Sequence, residues 1–166
     1  MTDTTDEARF RAIFAHLGAV TAYARRRGSR DADGVAAEVM TIAWRRLAAV
    51  PADDPLPWLY GTARNLVYAE ARSRHRTAPG EAATAPAPEI LSLDPELDTA
   101  LRGLRATDRE ALLLVAWEDL TPTQAASSLG ISPTAFRVRL FRARKRLQAA
   151  LATAHPSLTK LDVEGT

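Results

Sequence analysis

The chain of 166 residues contains no cysteine, which excludes disulfides, thiol redox sensing and cysteine-ligated zinc. No run approaches the roughly 20 consecutive apolar residues that a membrane span requires, and the N-terminus, MTDTTDEARF, is acidic where a secretory signal is basic and then apolar. A soluble, cytoplasmic protein with no membrane partner is expected. His16, His75 and His155 are far apart in the chain, with no acidic or histidine neighbour at ligand spacing. Neither a glycine-rich phosphate loop nor a nucleophile elbow occurs, so no metal site, cofactor or catalytic centre is expected.

One further scarcity points to function. No acidic residue occurs between Asp119 and Asp162, yet Arg137, Arg139, Arg142, Arg144, Lys145 and Arg146 lie inside that window. A face that serves only solubility mixes both signs, because Glu and Arg four apart stabilise a helix. A one-signed window suits a polyanion.

The same window carries its own punctuation. Thr121 can cap a helix with Pro122 at its first position and Gln124 completing a capping box, and Gly130 supplies a left-handed stop after Leu129. Ser132 and Pro133 repeat the start signal. Beyond them Phe136, Leu140, Ala143, Leu147 and Leu151 share one helical face, and Thr134, Val138, Phe141, Arg142 and Lys145 share the other. The pattern is a helix-turn-helix whose second helix packs on one side and meets a partner on the other. Phe141, among basic residues, could touch a thymine methyl in the major groove or pack on the preceding helix.

The net charge is only +2, so the basic character is local and acidic residues are concentrated elsewhere. Residues 77–93, rich in Ala and Pro, read as a flexible linker between two small helical domains, 6–76 and 94–153, with a tail over 154–166. The fold class is all-α. In the second domain Asp94 and Pro95 open a helix with Leu97, Leu101 and Leu104 on one face, and Thr107 with Glu110 forms a further capping box. In the first domain Phe10, Ile13, Phe14 and Leu17 mark one helix running to Gly28, and a second begins near Asp31. A loop, 48–57, holds Pro51, Pro55 and Pro57, and a third helix from Trp58 ends in Arg72, Arg74, His75 and Arg76. Trp44 and Trp58 could stack on bases, but large aromatics among apolar neighbours are more often core.

Two segments, DADGVAAEVMTIAWRRL followed by PLPWLYGTARNLV, and TDREALLLVAWEDLTPTQAASSLGISPTAFRVRLFRARKRL, resemble the bacterial sigma factors of the extracytoplasmic-function type. With the linker they cover nearly the whole chain from Asp6 to Leu151. The resemblance implies that the first domain docks on the β′ clamp helices of core RNA polymerase and opens and reads the minus-ten promoter element. Asp33 and Glu38 match acidic docking positions, with Arg45 and Arg46 nearby, whereas Gly34 and Ala37 stand where the family is acidic or carries glutamine. The loop 48–57 matches the element that captures a flipped base, an event that needs compensation for lost stacking. Asp53 and Asp54 could there accept from a cytosine amino group. Arg64 and Asn65 match a run that faces promoter DNA, continued by Arg72, Arg74 and Arg76.

By the same resemblance the second domain contacts the polymerase β flap and places its last helix in the major groove of the minus-thirty-five element. Thr134, Arg137, Val138, Arg139, Phe141, Arg142 and Lys145 are the expected contacts there. An anti-sigma factor is a further implied partner. The rival reading is a stand-alone helix-turn-helix regulator binding an operator as a dimer; an adaptor bundle is a third. The basic edge and proline-rich loop of the first domain favour the sigma factor.

Overall fold

A computed structural model describes residues 4–77 and 94–154. Apart from Thr77 and Ala154, the expected linker and tail lie outside them. The described residues contain eight α-helices and no strand: α1 (Thr4–Phe14), α2 (Leu17–Arg26), α3 (Ala32–Arg45), α4 (Leu56–Thr77), α5 (Pro95–Gly103), α6 (Ala106–Ala116), α7 (Pro122–Leu129) and α8 (Pro133–Ala154), with a short 3-10 turn at Leu47–Ala49. The chain divides into two compact units, Met1–Glu89 with Ala126–Ile131, and Ile90–Ala125 with Ser132–Thr166. The all-α expectation holds.

In the first unit α2, α3 and α4 pack on one another and α1 packs on α3. Val20, Tyr23 and Ala24 of α2, Ala36, Val39 and Ala43 of α3, and Leu59, Ala63 and Val67 of α4 are buried. The alanines on all three helices let their axes approach closely, and burial of the larger side chains supplies the hydrophobic driving force. The Tyr23 and Tyr60 rings stack with centroids 4.7 Å apart, and the buried Arg27 guanidinium lies 4.3 Å from the Tyr23 ring centre. Such a cation over an aromatic face gains most where water is excluded. Gly28 follows with φ of 79°, a conformation open to glycine without a Cβ penalty. Asp31 then caps α3, its carboxylate accepting from the Gly34 amide at 2.9 Å. Glu70 fastens the intervening turn to α4, accepting from Ser29 Oγ at 2.8 Å and from the Arg30 amide at 3.0 Å.

Two expectations for this unit are corrected. The single helix from Phe10 to Gly28 is two helices, broken at Ala15 and His16, where the His16 amide donates to Ile13 three residues back and not four. The break turns α1 so that only Ile13 is buried, and Phe14 is left exposed. The proline loop is shorter than 48–57: the 3-10 turn takes its start, and Pro57 is buried in the first turn of α4, where a missing amide hydrogen is harmless.

In the second unit α8 packs on α5 and α6. Asp94 caps α5 as expected, accepting from the Glu96 amide at 2.9 Å. The capping box expected at Thr107 does not form: α6 starts two residues earlier than that box requires, its N-cap is Arg105 with no side-chain cap, and Glu110 is buried. Helix α6 is covered continuously from Asp108 to Leu114, so its charged residues need internal partners. Asp108 is paired with Arg146, and Arg109 Nη1 donates to the Arg102 carbonyl at 3.3 Å.

Candidate nucleic-acid interface

The helix-turn-helix forms from the residues that announced it. The Thr121 amide donates to Gln124 Oε1 at 2.9 Å and the Gln124 amide donates to Thr121 Oγ1 at 3.2 Å, the reciprocal pair of a capping box. Gly130, with φ of 65°, ends α7. Ser132 then caps α8 by accepting from the Ala135 amide at 3.1 Å.

Helix α8 separates its two faces cleanly. Phe136, Leu140 and Ala143 are buried, and Leu147 and Leu151 are partly buried. On the opposite side Thr134, Arg137, Val138, Phe141, Arg142 and Lys145 are all exposed and lie on a contiguous arc. At its centre stand two apolar side chains, Val138 at 45% and Phe141 at 60% exposure, three residues apart and so one above the other. Leaving them in water forfeits hydrophobic stabilisation, which a partner could recover. Lys145 Nζ lies 4.9 Å from the Phe141 ring centre, so the ring carries a cation along with its arginine neighbours. Arg139 is half-buried on the flank of this arc. Arg146 faces away from it, toward Asp108.

Helix α4 carries the second basic surface. Asn65, Arg72 and Arg76 are exposed and Arg64 is half-buried; these four share one stripe along the helix. Tyr68 lies on the same stripe, with the Arg64 guanidinium 4.9 Å from its ring centre. Sequence reasoning missed this tyrosine; its position four residues after Arg64 was the available signal. Arg74 leaves the stripe and stands 4.0 Å from Glu70, on the side of α4 that holds the α2–α3 turn.

On α3, Asp33, Glu38 and Arg45 are exposed and share one arc, whereas Arg46 lies past the helix end as its C-cap. Trp44 is 40% exposed on the same arc, its ring meeting Phe10 edge-on at 5.0 Å. It is therefore a surface residue and not the buried one expected; Trp58 is partly buried. In the loop before α4, Asp53 is exposed and Asp54 half-buried. Among the described residues no cluster of His, Asp or Glu could hold a metal ion, and no helix is long and apolar enough to cross a membrane.

The family model described as Sigma-70, region 4, matches residues 95–147, from the start of α5 through most of α8. The exposed arc of α8 lies almost wholly within the segment that matches this model. The chain is also 38% identical, over 135 residues and 72% of its length, to a probable RNA polymerase sigma factor, RfaY, of Xanthomonas campestris pv. campestris, and it spans 34% of that relative's length. Among solved structures it is similar to the sigma factor RpoE of Bartonella quintana, crystallised with the anti-sigma factor NepR. The TM-score is 0.63 at 26% identity, with 85% of this chain and 94% of that one covered. A second similar structure is CnrH in complex with the cytosolic domain of CnrY, with a TM-score of 0.59 at 25% identity, covering 87% of this chain and 88% of that one. The chain is homologous to an RNA polymerase sigma factor, and its structural similarity extends well beyond the region 4 domain.

Proposed function

We propose that this chain is an alternative sigma factor of the extracytoplasmic-function type. It binds core RNA polymerase in the cytoplasm and directs initiation at promoters with minus-ten and minus-thirty-five elements. The observation that carries the reading is the α8 arc of the region 4 domain: three exposed basic side chains around exposed Val138 and Phe141. Arginines at such a face can pair with guanine in the major groove, each good bidentate pair giving about 1–3 kcal/mol of base discrimination. Phosphate contacts from neighbouring cations tighten binding without selecting sequence.

In this reading residues 6–76 are a region 2-like domain, 77–93 a linker, 94–153 the region 4-like domain and 154–166 a tail. Asp33, Glu38, Arg45 and Arg46 meet the β′ clamp helices, and the second domain meets the β flap. Asp53 and Asp54 in the loop, with Arg64, Asn65, Arg72, Arg74 and Arg76 along α4, meet the minus-ten element and spacer. Two domains joined by a tether gain affinity by acting together, because engagement of one raises the local concentration of the other. The polymerase does the chemistry, so the chain itself needs no catalytic group. The complexes of RpoE with NepR and of CnrH with CnrY support an anti-sigma factor as a further partner.

The test is transcription in vitro from genomic DNA fragments by core polymerase with and without the protein. New start sites sharing two spaced elements support the proposal. No new starts, with tight operator binding by the protein alone, would replace it with a stand-alone regulator.

A further inference from the structure

The loop between the 3-10 turn and α4 is short and held at both ends. At its far end the Pro55 carbonyl accepts from the Leu59 amide at 3.0 Å in the first turn of α4. At its near end Val50 is fixed three ways. Its side chain is 1% exposed, its amide donates to the Leu47 carbonyl at 3.2 Å, and its own carbonyl accepts from Arg9 Nη2 at 2.6 Å. Arg9 belongs to α1, 41 residues earlier, and is half-buried with its Nε shielded from water. A charge-assisted bond to a carbonyl in such surroundings is stronger than one in water. Pro51 and Pro55 have fixed φ and no amide hydrogen, so the strap enters and leaves through restricted residues. Asp53 and Asp54 stand on that strap.

We propose that Arg9 is a positioning residue for this loop: by holding the Val50 carbonyl it fixes where Asp53 and Asp54 stand, and through them the base preference at the minus-ten element. The consequence for promoter choice rests on the reading of the loop given under Proposed function; the anchoring itself does not. Helix α1 then acts on DNA specificity without touching DNA.

Arg9→Met keeps the aliphatic stem and removes the donors, and Arg9→Lys keeps one donor. Hydrogen exchange at the Val50 amide, which is bonded to the Leu47 carbonyl beside the anchored peptide, reads the anchor directly. Exchange in Arg9→Met should quicken by about five- to tenfold, the factor that one lost hydrogen bond corresponds to, with exchange along α4 unchanged and partial recovery in Arg9→Lys. Transcription from a promoter library randomised over the minus-ten element reads the consequence. Arg9→Met should flatten base preference there by a similar factor while the minus-thirty-five preference stays. Unchanged loop exchange in Arg9→Met overturns the anchor. Quickened exchange with an unaltered base profile, in a protein whose wild type initiates selectively, overturns the link to specificity. A wild type that initiates nowhere refutes the sigma-factor reading and the link to specificity, and leaves the exchange result to decide the anchor. If Arg9→Met melts globally, Arg9→Lys decides: wild-type stability with an intermediate base profile supports positioning, and a wild-type profile rejects it.

Discussion

Arg146 Nη1 donates to Asp108 Oδ2 at 2.5 Å, joining α8 to the first turn of α6 across 38 residues of sequence. The carboxylate is 5% exposed and the guanidinium 47%, so the pair closes a buried acid with a half-exposed base. Asp108 also sits where the helix dipole favours a negative charge. Arg146 therefore serves the fold, although in sequence it is indistinguishable from its basic neighbours. Arg146→Met leaves the Asp108 carboxylate without this partner and should lower stability by about 1.5–3 kcal/mol, the range for hydrogen bonds to charged groups. A urea midpoint measures the loss, and the salt dependence of DNA affinity should keep its slope.

Arg137 and Arg142 should behave in the opposite way. Both are exposed on α8, on the face opposite buried Phe136, Leu140 and Ala143. Reversing both to glutamate places anionic side chains against phosphates and base edges, and should abolish promoter-directed starts while the melting curve and co-elution with core polymerase stay as in wild type. Loss of polymerase binding in this variant would contradict the assignment of Arg137 and Arg142 to DNA alone. Arg142→Ala alone should reduce the magnitude of the salt slope by about 1 if the side chain meets a phosphate.

Val138 and Phe141 give a prediction about methyl groups. They are the most exposed large apolar side chains of α8, and the thymine C5-methyl is the apolar feature of the major groove. Replacing thymine by deoxyuridine, one position at a time in the minus-thirty-five element, should weaken wild-type binding at the contacted positions. The Val138→Ala, Phe141→Ala double variant should bind more weakly overall and be indifferent to the same replacement. A wild type equally indifferent to every methyl would show that these residues meet something other than thymine.

What could be read from the sequence was local, and what could not depended on distant parts of the chain. Thr121 and Gln124 form their capping box because both groups lie within one turn. The same pattern at Thr107 and Glu110 fails because α6 already begins at Ala106, where its hydrogen bonds start from the Arg105 carbonyl. Burial of Asp108, Arg109 and Glu110 in succession runs against the usual exposure of charged residues, and the partner of Asp108 lies on α8. Phe14 and Trp44 have the right period for a core, but the break at His16 turns α1 and leaves Phe14 at the surface, and Trp44 stands on the exposed arc of α3. The exposed arc of α8 was legible because its face is set by one helix's own periodicity and its charge by composition. Arg64 with Tyr68, and Arg74 with Glu70, required knowing which side of α4 the α2–α3 turn occupies.

The turn between α6 and α7 offers a stabilising change. Asp119 has φ of 53°, the single non-glycine residue with positive φ among those described, and it follows α6 where the Glu118 amide returns to the Leu113 carbonyl and the Leu120 amide to the Leu114 carbonyl. That wrap-around closure demands a left-handed residue. Asp tolerates this conformation better than most side chains but still pays for its Cβ, and Asp119 is exposed. Asp119→Gly should therefore raise stability by up to about 1 kcal/mol, a fraction of the left-handed penalty of an L-residue. Asp119→Val should lower it by more, because a β-branched side chain fits that region worst. Since the backbone path into α7 is already the one glycine prefers, Asp119→Gly should also leave promoter selection unchanged. Thermal melting of both variants tests the ordering, and a destabilised Asp119→Gly would mean that the carboxylate holds the turn by contacts worth more than the strain.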